Sequence, residues 1–280
     1  EEKIHAMMED YEGVIIWDLP SQIRNRYLKY CFSHSIRCYM SPKISDIILL
    51  GTDRIHLFDT PLLMCRNQGL SMEQRAAKRV LDIIVSGLGI IVSSPIMLII
   101  AIAVKAYDGG PVFYLQDRLT YQGKEFRIRK FRSMCVDSEK NGARLASKHD
   151  SRITPVGHVL RNLHLDELPQ LFNVFMGDMS LVGPRPERDV IMQEYEQEIP
   201  EFHYRLKVKA GLTGYAQVYG KYNTTPYDKL KLDLFYIENY SFLLDIKLLF
   251  MTVKIFFQKE VSEGVDDNQK NALKDSEDKK

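Results

Sequence analysis

Two adjacent carboxylates, Asp166 and Glu167, precede the clearest helical repeat of apolar residues in the second half of the chain. The segment is LDELPQLFNVFMG, and its apolar side chains recur at Leu168, Leu171, Phe172 and Phe175. Gly177 stands where such a helix would stop, and Pro169 is acceptable only in a first helical turn. We therefore predict Asp166 as the N-cap, where free N–H groups and the helix dipole attract an anion and keep a nucleophilic aspartate ionised.

Glu167 adds a second negative charge beside Asp166, and two like charges at one place are costly unless a cation neutralises them. A magnesium ion bound to a diphosphate would do so, because magnesium prefers one or two carboxylates together with substrate phosphates. The alternative is structural, since an aspartate cap followed by a first-turn glutamate is common for dipole reasons alone.

Basic residues on both sides of the carboxylate pair suit phosphate binding. Arg161 lies five residues before Asp166, and the segment SLVGPRPE places Pro184 and Pro186 on either side of Arg185. The two prolines restrict the backbone and hold the guanidinium in place. A further strip of basic residues alternates with apolar ones, at Arg127, Arg129, Lys130 and Arg132. It could neutralise substrate phosphates or lipid head groups, and a solvated strand face explains it equally well.

One apolar segment, Val80 to Val104, must position this chemistry near a membrane. It holds about 25 residues with Asp82 as its one charged side chain, the length expected of a membrane-embedded helix. A buried core helix is the alternative, but such helices are usually shorter and have a polar face. Ser93, Ser94 and Pro95 lie in its middle, so the helix is expected to bend or break there, with serine hydroxyls satisfying the freed carbonyls.

Positive charge flanks this segment on both sides, at Arg75, Lys78, Arg79 and Lys105. Because lysine and arginine mark the cytoplasmic side of a membrane, we expect a re-entrant helix that enters and leaves on that side. A second apolar stretch, 243–257, carries Lys247 and Lys254 and predicts a helix that lies in the membrane interface or packs on the core.

The remaining segments predict an α+β fold. Residues 11–65 contain two short apolar runs, VIIW and IILL, which we expect as strands on either side of a polar helix, as in part of a small α/β module. Strand and turn segments between residues 109 and 134 are followed by a polar loop, 137–151, and then by a helical core. Residues 260–280 are charged and predict a disordered tail.

Bulk composition excludes some classes of protein. With 280 residues and 45% hydrophobic content the chain can bury a core, so disorder throughout is excluded. A net charge of +1 gives no reason to expect a nucleic acid as partner. Four cysteines without a CxxC pair indicate free thiols in a reducing compartment. The chain begins at Glu1 without a signal-peptide pattern, so we expect it to be a piece of a longer protein.

Six sequence blocks, in order, resemble the bacterial polyprenyl-phosphate sugar phosphotransferases, also called monotopic phosphoglycosyl transferases. The blocks are KRVLDIIVSGLGIIVSSPIMLIIAIAVK, GPVFYLQDR, GKEFRIRKFRSM, LDELPQLFNVFMGDMSLVGPRPE, GLTGYAQVYG and DLFYIENYSFLLDIKLL. They cover residues 75–258, the predicted transferase domain. Residues 1–70 look like the C-terminal part of the nucleotide-binding-like module found in the long form of the family.

The resemblance implies an enzyme at the cytoplasmic face of the bacterial inner membrane. Such an enzyme transfers a sugar-1-phosphate from a UDP-sugar to polyprenyl (undecaprenyl) phosphate and releases UMP. Asp166 matches the nucleophile that forms a covalent phosphosugar intermediate, and Glu167 matches the residue that helps hold Mg²⁺. The products enter exopolysaccharide, capsule, O-antigen or glycoprotein glycan synthesis.

The remaining matches concern substrate binding and the membrane. Lys130 and Arg161 match basic positions near the phosphates and the lipid carrier, and Arg185 matches a nucleotide or phosphate contact. Arg132 and Pro184 are also assigned to substrate binding by their places in the basic strip and the GPRP segment. The helix-breaking pair of the re-entrant helix is matched by Ser94 and Pro95. His164 stands where the family often has serine or threonine, and we assign it no role.

Two other interpretations remain open at this point. One is a catalytically inactive membrane scaffold or regulator of polysaccharide assembly, and the other is a soluble sugar-nucleotide enzyme with a long buried helix. The sugar that is transferred, the polymer served and the oligomeric state, including a homo-oligomer, are also left open by the sequence.

Overall fold

The computed structural model of the chain describes residues 2–65, 69–136, 150, 152–221 and 224–256. The helices are α1 Glu2–Glu9, α2 Ser21–Ser33, α3 Ile44–Leu50, α4 Met72–Asp108, α5 Pro155–Asn162, α6 Gln170–Met176, α7 Asp189–Glu198, α8 Tyr215–Tyr219, α9 Pro226–Glu238 and α10 Phe242–Phe256. The strands are β1 Gly13–Ile16, β2 Arg37–Met40, β3 Asp53–Leu57, β4 Thr60–Met64, β5 Phe113–Leu119, β6 Glu125–Phe131, β7 Ser180–Val182 and β8 Gly211–Thr213. Three 3₁₀ turns lie at Tyr121–Gly123, Leu165–Glu167 and Pro200–Lys207. This mixture confirms the predicted combination of helices and short strands.

The first compact unit ends at residue 49 and contains a parallel pair of strands, β1 and β2, joined through α2. Strand β1 confirms the strand expected at VIIW. The run IILL, expected as a strand, lies in α3, and β2 was not predicted. A short apolar run fits a strand or a helix equally well. Here Asp46 accepts a hydrogen bond from the Lys43 N–H (2.8 Å) and pairs with Arg24, and these contacts stabilise a first helical turn. The likeness to a nucleotide-binding module stays a prediction.

The second compact unit begins at residue 50, whereas the sequence suggested a boundary near residue 70. The intervening segment forms the antiparallel hairpin of β3 and β4. Its ends lie against later parts of the same unit, Gly51 against the side chain of Glu238 and Gly69 against the backbone of Lys207. These contacts explain why the segment belongs with the larger unit.

Helix α4 is longer than the predicted apolar segment. Ser71 and Gln74 form a reciprocal capping box at its start, and Gly109 ends it in the left-handed conformation with φ 71°. The helix is continuous through Pro95, so it does not show a break at Ser94 and Pro95. The Ser94 hydroxyl donates to the carbonyl of Ile91 (2.8 Å), the group that Pro95 leaves without its helical partner, as the sequence predicted.

The two faces of α4 differ sharply. One face packs on the second unit through residues near each end of the helix, including Lys78, Asp82, Met97, Ile100 and Val104. The other exposes large apolar side chains at Val80, Ile84, Leu88, Ile91, Val92, Leu98, Ile99 and Ile102. Helix α4 is long and apolar enough to cross a membrane, and most of its apolar window is exposed. This exposure argues against the interpretation as a buried core helix.

Both halves of α4 contact the same unit. Near its start, the Lys78 ammonium donates to Asp245 of α10 (2.6 Å) and to the hydroxyl of Tyr236 in α9 (2.9 Å). Near its end, Met97, Ile100 and Val104 form a core cluster with Phe131 and Leu160. Helix α4 therefore runs along the unit with its exposed apolar face turned away from it.

The hairpin of β5 and β6 confirms the predicted strands and turn between residues 109 and 134. Helix α10 packs through Asp245 and Leu248 and exposes Leu243, Phe250 and Val253, so it contacts the core on one face only. The predicted polar loop, 137–151, lies outside the described residues except for Asp150, and so does the predicted tail, 260–280.

Candidate active site

Asp166 and Glu167 lie in the 3₁₀ turn Leu165–Glu167, between α5 and α6. Helix α6 begins only at Gln170, with Pro169 as its N-cap, so the prediction of Asp166 as the cap of that helix is wrong. The reason lies just upstream, where His164 adopts the left-handed conformation with φ 51° and reverses the chain after α5. The carboxylate pair is therefore held by a tight turn ahead of the helix.

Asp166 is partly buried, and within the described part of the chain no hydrogen-bond donor reaches its carboxylate. Burial raises the pKa of Asp166 above its usual range, and the charges of Lys130 and Arg161 oppose this shift. The expectation that Asp166 is kept ionised stays a prediction, and the charges of Lys130 and Arg161 favour the ionised form. Among the described residues, the carboxylate lies beside two cations without a hydrogen-bond donor, an arrangement suited to attack on a phosphorus atom.

Glu167 differs from its neighbour because two cations bind it directly. Its Oε1 accepts from the Lys130 ammonium (2.6 Å) and from the Arg185 guanidinium (2.7 Å). Burial alone would raise the pKa of Glu167, but the charges of Arg185 and Lys130 outweigh it and hold that pKa well below its usual range. Glu167 therefore stays ionised and ties together the basic groups of two separate elements.

The loop after β7 holds Arg185 as the sequence predicted. Pro184 and Pro186 are buried, while the side chain of Arg185 between them is 48% exposed. Pro184 also fixes the loop through its carbonyl, which accepts from the Gly211 N–H at the start of β8 (2.9 Å). Pro184 thus contributes by shaping the loop, and Arg185 is the group that can contact a ligand.

Arg161 completes the basic surroundings from another direction. It lies in the last turn of α5, and its charge acts on Asp166 across the left-handed turn at His164. The structure therefore brings together five of the predicted residues, Asp166, Glu167, Lys130, Arg161 and Arg185.

Arg132 does not join this cluster. Its guanidinium pairs in bidentate fashion with Asp108 at the end of α4 and donates to the carbonyl of Pro111 (2.8 Å). The side chain is only 7% exposed, so its donors are occupied inside the protein. The structure therefore does not bring Arg132 to the carboxylate pair, and its assignment to substrate binding stays a prediction.

The other two arginines of the basic strip also lie apart from the carboxylate pair. Arg127 approaches Asp117 on the exposed side of the hairpin (3.4 Å), and Arg129 contacts the sulfur of Met176 (3.9 Å). The strip is therefore divided, and Lys130 is the member that reaches Glu167.

We expect Arg132→Leu to lower the thermal unfolding midpoint by several degrees, because Asp108 and the Pro111 carbonyl lose their donors. Affinity for a UDP-sugar, the substrate that the sequence resemblance implies, should be unchanged. Thermal melting and substrate titration of the same preparation check both expectations, and Arg127→Leu, at an exposed position, is the control. A large loss of substrate affinity at an unchanged midpoint would return Arg132 to the substrate site.

Sequence reasoning missed Asn173, which fixes the position of Lys130. The fully buried Asn173 amide accepts from the Arg129 N–H (3.0 Å) and donates to the Arg127 carbonyl (2.8 Å), joining α6 to β6. These bonds hold the strand next to the carboxylate turn. An amide inside the apolar repeat LFNVFM is the sequence signal that could have identified it, because a buried amide requires partners.

The donor chemistry of the carboxylate pair fits a magnesium ion. Glu167 Oε2 and the Asp166 carboxylate accept no hydrogen bond from any described residue, so hard oxygen ligands remain available. No cluster of three or more potential metal-ligating side chains occurs among the described residues, so substrate phosphates would have to supply further ligands. Lys130 and Arg185 already supply the neutralising charge that the sequence assigned to magnesium.

A carboxylate pair surrounded by cations, on a unit with a long exposed apolar helix, defines a candidate phosphoryl-transfer site at a membrane. The family model "Bacterial sugar transferase" matches residues 73–259. The chain belongs to the bacterial sugar transferase family, which confirms the resemblance found in the sequence.

Three relatives differ in the sugar that their names carry. The UDP-N-acetylgalactosamine-undecaprenyl-phosphate N-acetylgalactosaminephosphotransferase of Aeromonas hydrophila is 44% identical over 232 residues, 82% of this chain and 54% of that protein. The UDP-glucose:undecaprenyl-phosphate glucose-1-phosphate transferase of Klebsiella pneumoniae is 38% identical over 262 residues, 90% and 54% respectively. The undecaprenyl-phosphate galactose phosphotransferase of Salmonella typhimurium is 36% identical over 237 residues, 78% and 49%. The chain spans about half the length of these curated relatives.

Proposed function

We propose that this chain transfers a sugar-1-phosphate from a UDP-sugar to polyprenyl phosphate, with Asp166 as the nucleophile. The observation that supports the proposal best is the arrangement of the carboxylate pair. Asp166 has no donor among the described residues, while its neighbour Glu167 binds Lys130 and Arg185. The names of the three relatives give both substrates for proteins that share the family.

In the proposed first step, an Asp166 oxygen attacks the phosphorus that carries the sugar. A bond from that oxygen to phosphorus forms, the bond to the bridging oxygen breaks, and UMP leaves with its electron pair. In the second step, an oxygen of polyprenyl phosphate attacks the same phosphorus and Asp166 is released. Phosphoryl transfer depends on positioning and charge neutralisation, for which Lys130, Arg161 and Arg185 are suitably placed.

Magnesium belongs to the proposal as a cofactor that Glu167 would hold. When bound, the ion would neutralise charge on the diphosphate and favour departure of UMP. The protein's own residues orient the substrate, because Lys130 and Arg185 are fixed on Glu167 from β6 and from the loop after β7.

The exposed apolar face of α4 supports a location at the bilayer. Phe172, Phe175 and Met176 of α6 are also exposed, and α6 packs on α4 where Gly87 and Gly89 leave room. Both halves of α4 pack on one unit, which favours the re-entrant arrangement over a straight crossing. We propose that this face enters the cytoplasmic leaflet of the bacterial inner membrane, which places the carboxylate turn beside the lipid phosphates.

The direct test is nucleotide release from a panel of UDP-sugars, in detergent with added polyprenyl phosphate. We expect one UDP-sugar to release UMP, with parallel double-reciprocal plots when both substrates are varied, since a covalent relay lets UMP leave before the lipid phosphate enters. No release from any sugar, with the folded protein bound to membranes, would contradict the proposal and favour an inactive scaffold.

We expect the substitution pair Leu88→Asp and Ile91→Asp to weaken binding to vesicles at least about tenfold, because a charge in the apolar region of a bilayer costs about 2.5 to 3.5 kcal/mol per residue. Vesicle flotation of the purified protein measures this. The control is Val190→Asp on α7, where an equally exposed valine lies on a different element. If the parent protein, the double variant and the Val190→Asp control bound vesicles equally well, the apolar face of α4 would not be the membrane contact.

A further inference from the structure

Two arginines from different elements donate hydrogen bonds to the loop that carries Arg185. Arg205, in the 3₁₀ turn Pro200–Lys207, donates to the carbonyl of Arg185 itself (3.0 Å). Arg118, on β5, donates to the next carbonyl, that of Pro186 (3.0 Å). Glu187 follows in the loop, with one carboxylate oxygen 3.8 Å from Arg118 and the other 3.6 Å from Arg205. The loop is therefore fixed by charged groups on both sides.

Arg205 is itself held by a buried acid. Its guanidinium pairs with Asp233 of α9 at 2.8 Å, and the two side chains are 4% and 1% exposed. Two buried charges lose their hydration, so such a pair is often no more stable than a well-packed apolar pair of the same size. Two nitrogens of Arg205, Nε and Nη1, also lack a hydrogen-bond acceptor among the described residues. Stability alone is thus a weak explanation for this pair.

The bond from Arg205 holds the backbone of Arg185 itself. Arg185 precedes Pro186, and a residue before proline is confined to the extended region. A hydrogen bond to the Arg185 carbonyl then anchors the peptide group next to the Cα atom that carries the side chain. Arg205 holds this carbonyl, while the guanidinium of Arg185 reaches Glu167 at 2.7 Å.

We propose that Arg205, paired with Asp233, is a positioning residue that aims Arg185 at Glu167 and at the substrate phosphate. Its effect on catalysis rests on the proposed function, whereas its effect on the geometry of Arg185 does not. The chain of contacts runs from Asp233 on α9 through Arg205 and the loop carbonyl to the Arg185 side chain. Each link in this chain is a contact of 3.0 Å or less.

The test replaces the whole pair, Arg205→Met with Asp233→Leu, so that no unpaired charge is left buried. We expect the KM for the UDP-sugar to rise at least about tenfold, because small displacements of a positioned group cost up to about 100-fold. The thermal unfolding midpoint, measured in parallel, should stay close to that of the parent protein. The control is the partly buried pair of the first unit, Arg24→Met with Asp46→Leu, which should leave KM unchanged.

A double-mutant cycle separates positioning from general damage. If Arg205 acts through Arg185, the pair replacement should change KM by less than about twofold when Arg185→Met is already present. The proposal would be overturned if the pair replacement raised KM by the same factor with and without Arg185→Met. It would also be overturned if the pair replacement alone left KM unchanged.

Chemical modification of Arg185 tests the positioning role without any enzymatic activity, and so remains valid if the proposed function is wrong. An arginine-directed dicarbonyl reagent, followed by peptide mass spectrometry, reports the reactivity of Arg185 in the resting protein. We expect Arg185 to react at least about threefold faster in the pair variant, since a loosened loop opens more often. An unchanged reaction rate would refute the positioning role even if no UDP-sugar were a substrate.

Discussion

Replacing Asp166 by Asn is expected to lower the rate of UMP release by at least about 10³-fold, because an amide cannot act as the attacking carboxylate. The parent protein, mixed with a labelled UDP-sugar and no lipid phosphate, should retain label on the peptide that contains Asp166. The Asp166→Asn protein, treated in the same way, should retain none. Quenched-flow release of UMP and peptide mapping of the labelled protein measure the two effects.

The control for this change is Asp117→Asn on β5, because that carboxylate is 67% exposed and lies on the outer side of the hairpin. It should keep the parent rate and the labelled peptide. Full turnover in Asp166→Asn would end the assignment of Asp166 as nucleophile, and label on a different peptide would move the covalent step to another side chain.

Glu167→Gln is expected to cost about 10²- to 10³-fold in kcat/KM, for an electrostatic reason. Glu167 is the anion between Lys130 and Arg185, and its loss leaves two cations facing each other without a counter-charge. Both cations should then move apart, and a metal ligand is lost at the same time. The measurement is steady-state UMP release with magnesium varied over a wide range.

The magnesium dependence distinguishes the two roles of Glu167. A chelator should abolish activity in the parent protein, and added magnesium should restore it, at a higher concentration in Glu167→Gln. Lys130→Gln is the comparison, because it disturbs the same ion pair and leaves both carboxylates in place. Activity that survives the chelator in the parent protein would contradict the proposed cofactor while leaving the ion-pair role of Glu167 intact.

Local patterns predicted the parts of the site that depend on nearby residues. The adjacent carboxylates and the prolines around Arg185 are neighbours in sequence, and the structure brings Arg185 into contact with Glu167. The start of α6 was misplaced because Pro169 suits a first turn but also suits an N-cap after a tight turn. The left-handed residue at His164, which determines the choice, carries no clear sequence signal.

Long-range pairings could not be predicted in the same way. Lys130 and Arg132 have similar side chains and lie two residues apart, yet one contacts Glu167 and the other contacts Asp108. Strand β6 ends at Phe131, so the alternation of a strand no longer applies at Arg132. Arg205 and Asp233 were missed for a related reason, since their partnership depends on the packing of α9 against a distant turn. Charge and spacing identify candidates, and tertiary contacts decide between them.

The contact of α6 with Gly87 and Gly89 has a consequence for lipid selection. Leu171 lies against Gly89 and Phe175 against Gly87, so α6 runs alongside α4 and holds the carboxylate turn at a fixed place beside it. On the proposed function, this fixed place relative to the apolar helix sets the depth at which an acceptor can be reached. The enzyme would then discriminate among lipids by the height of their phosphate above the acyl chains, and the length of the hydrocarbon tail would matter little.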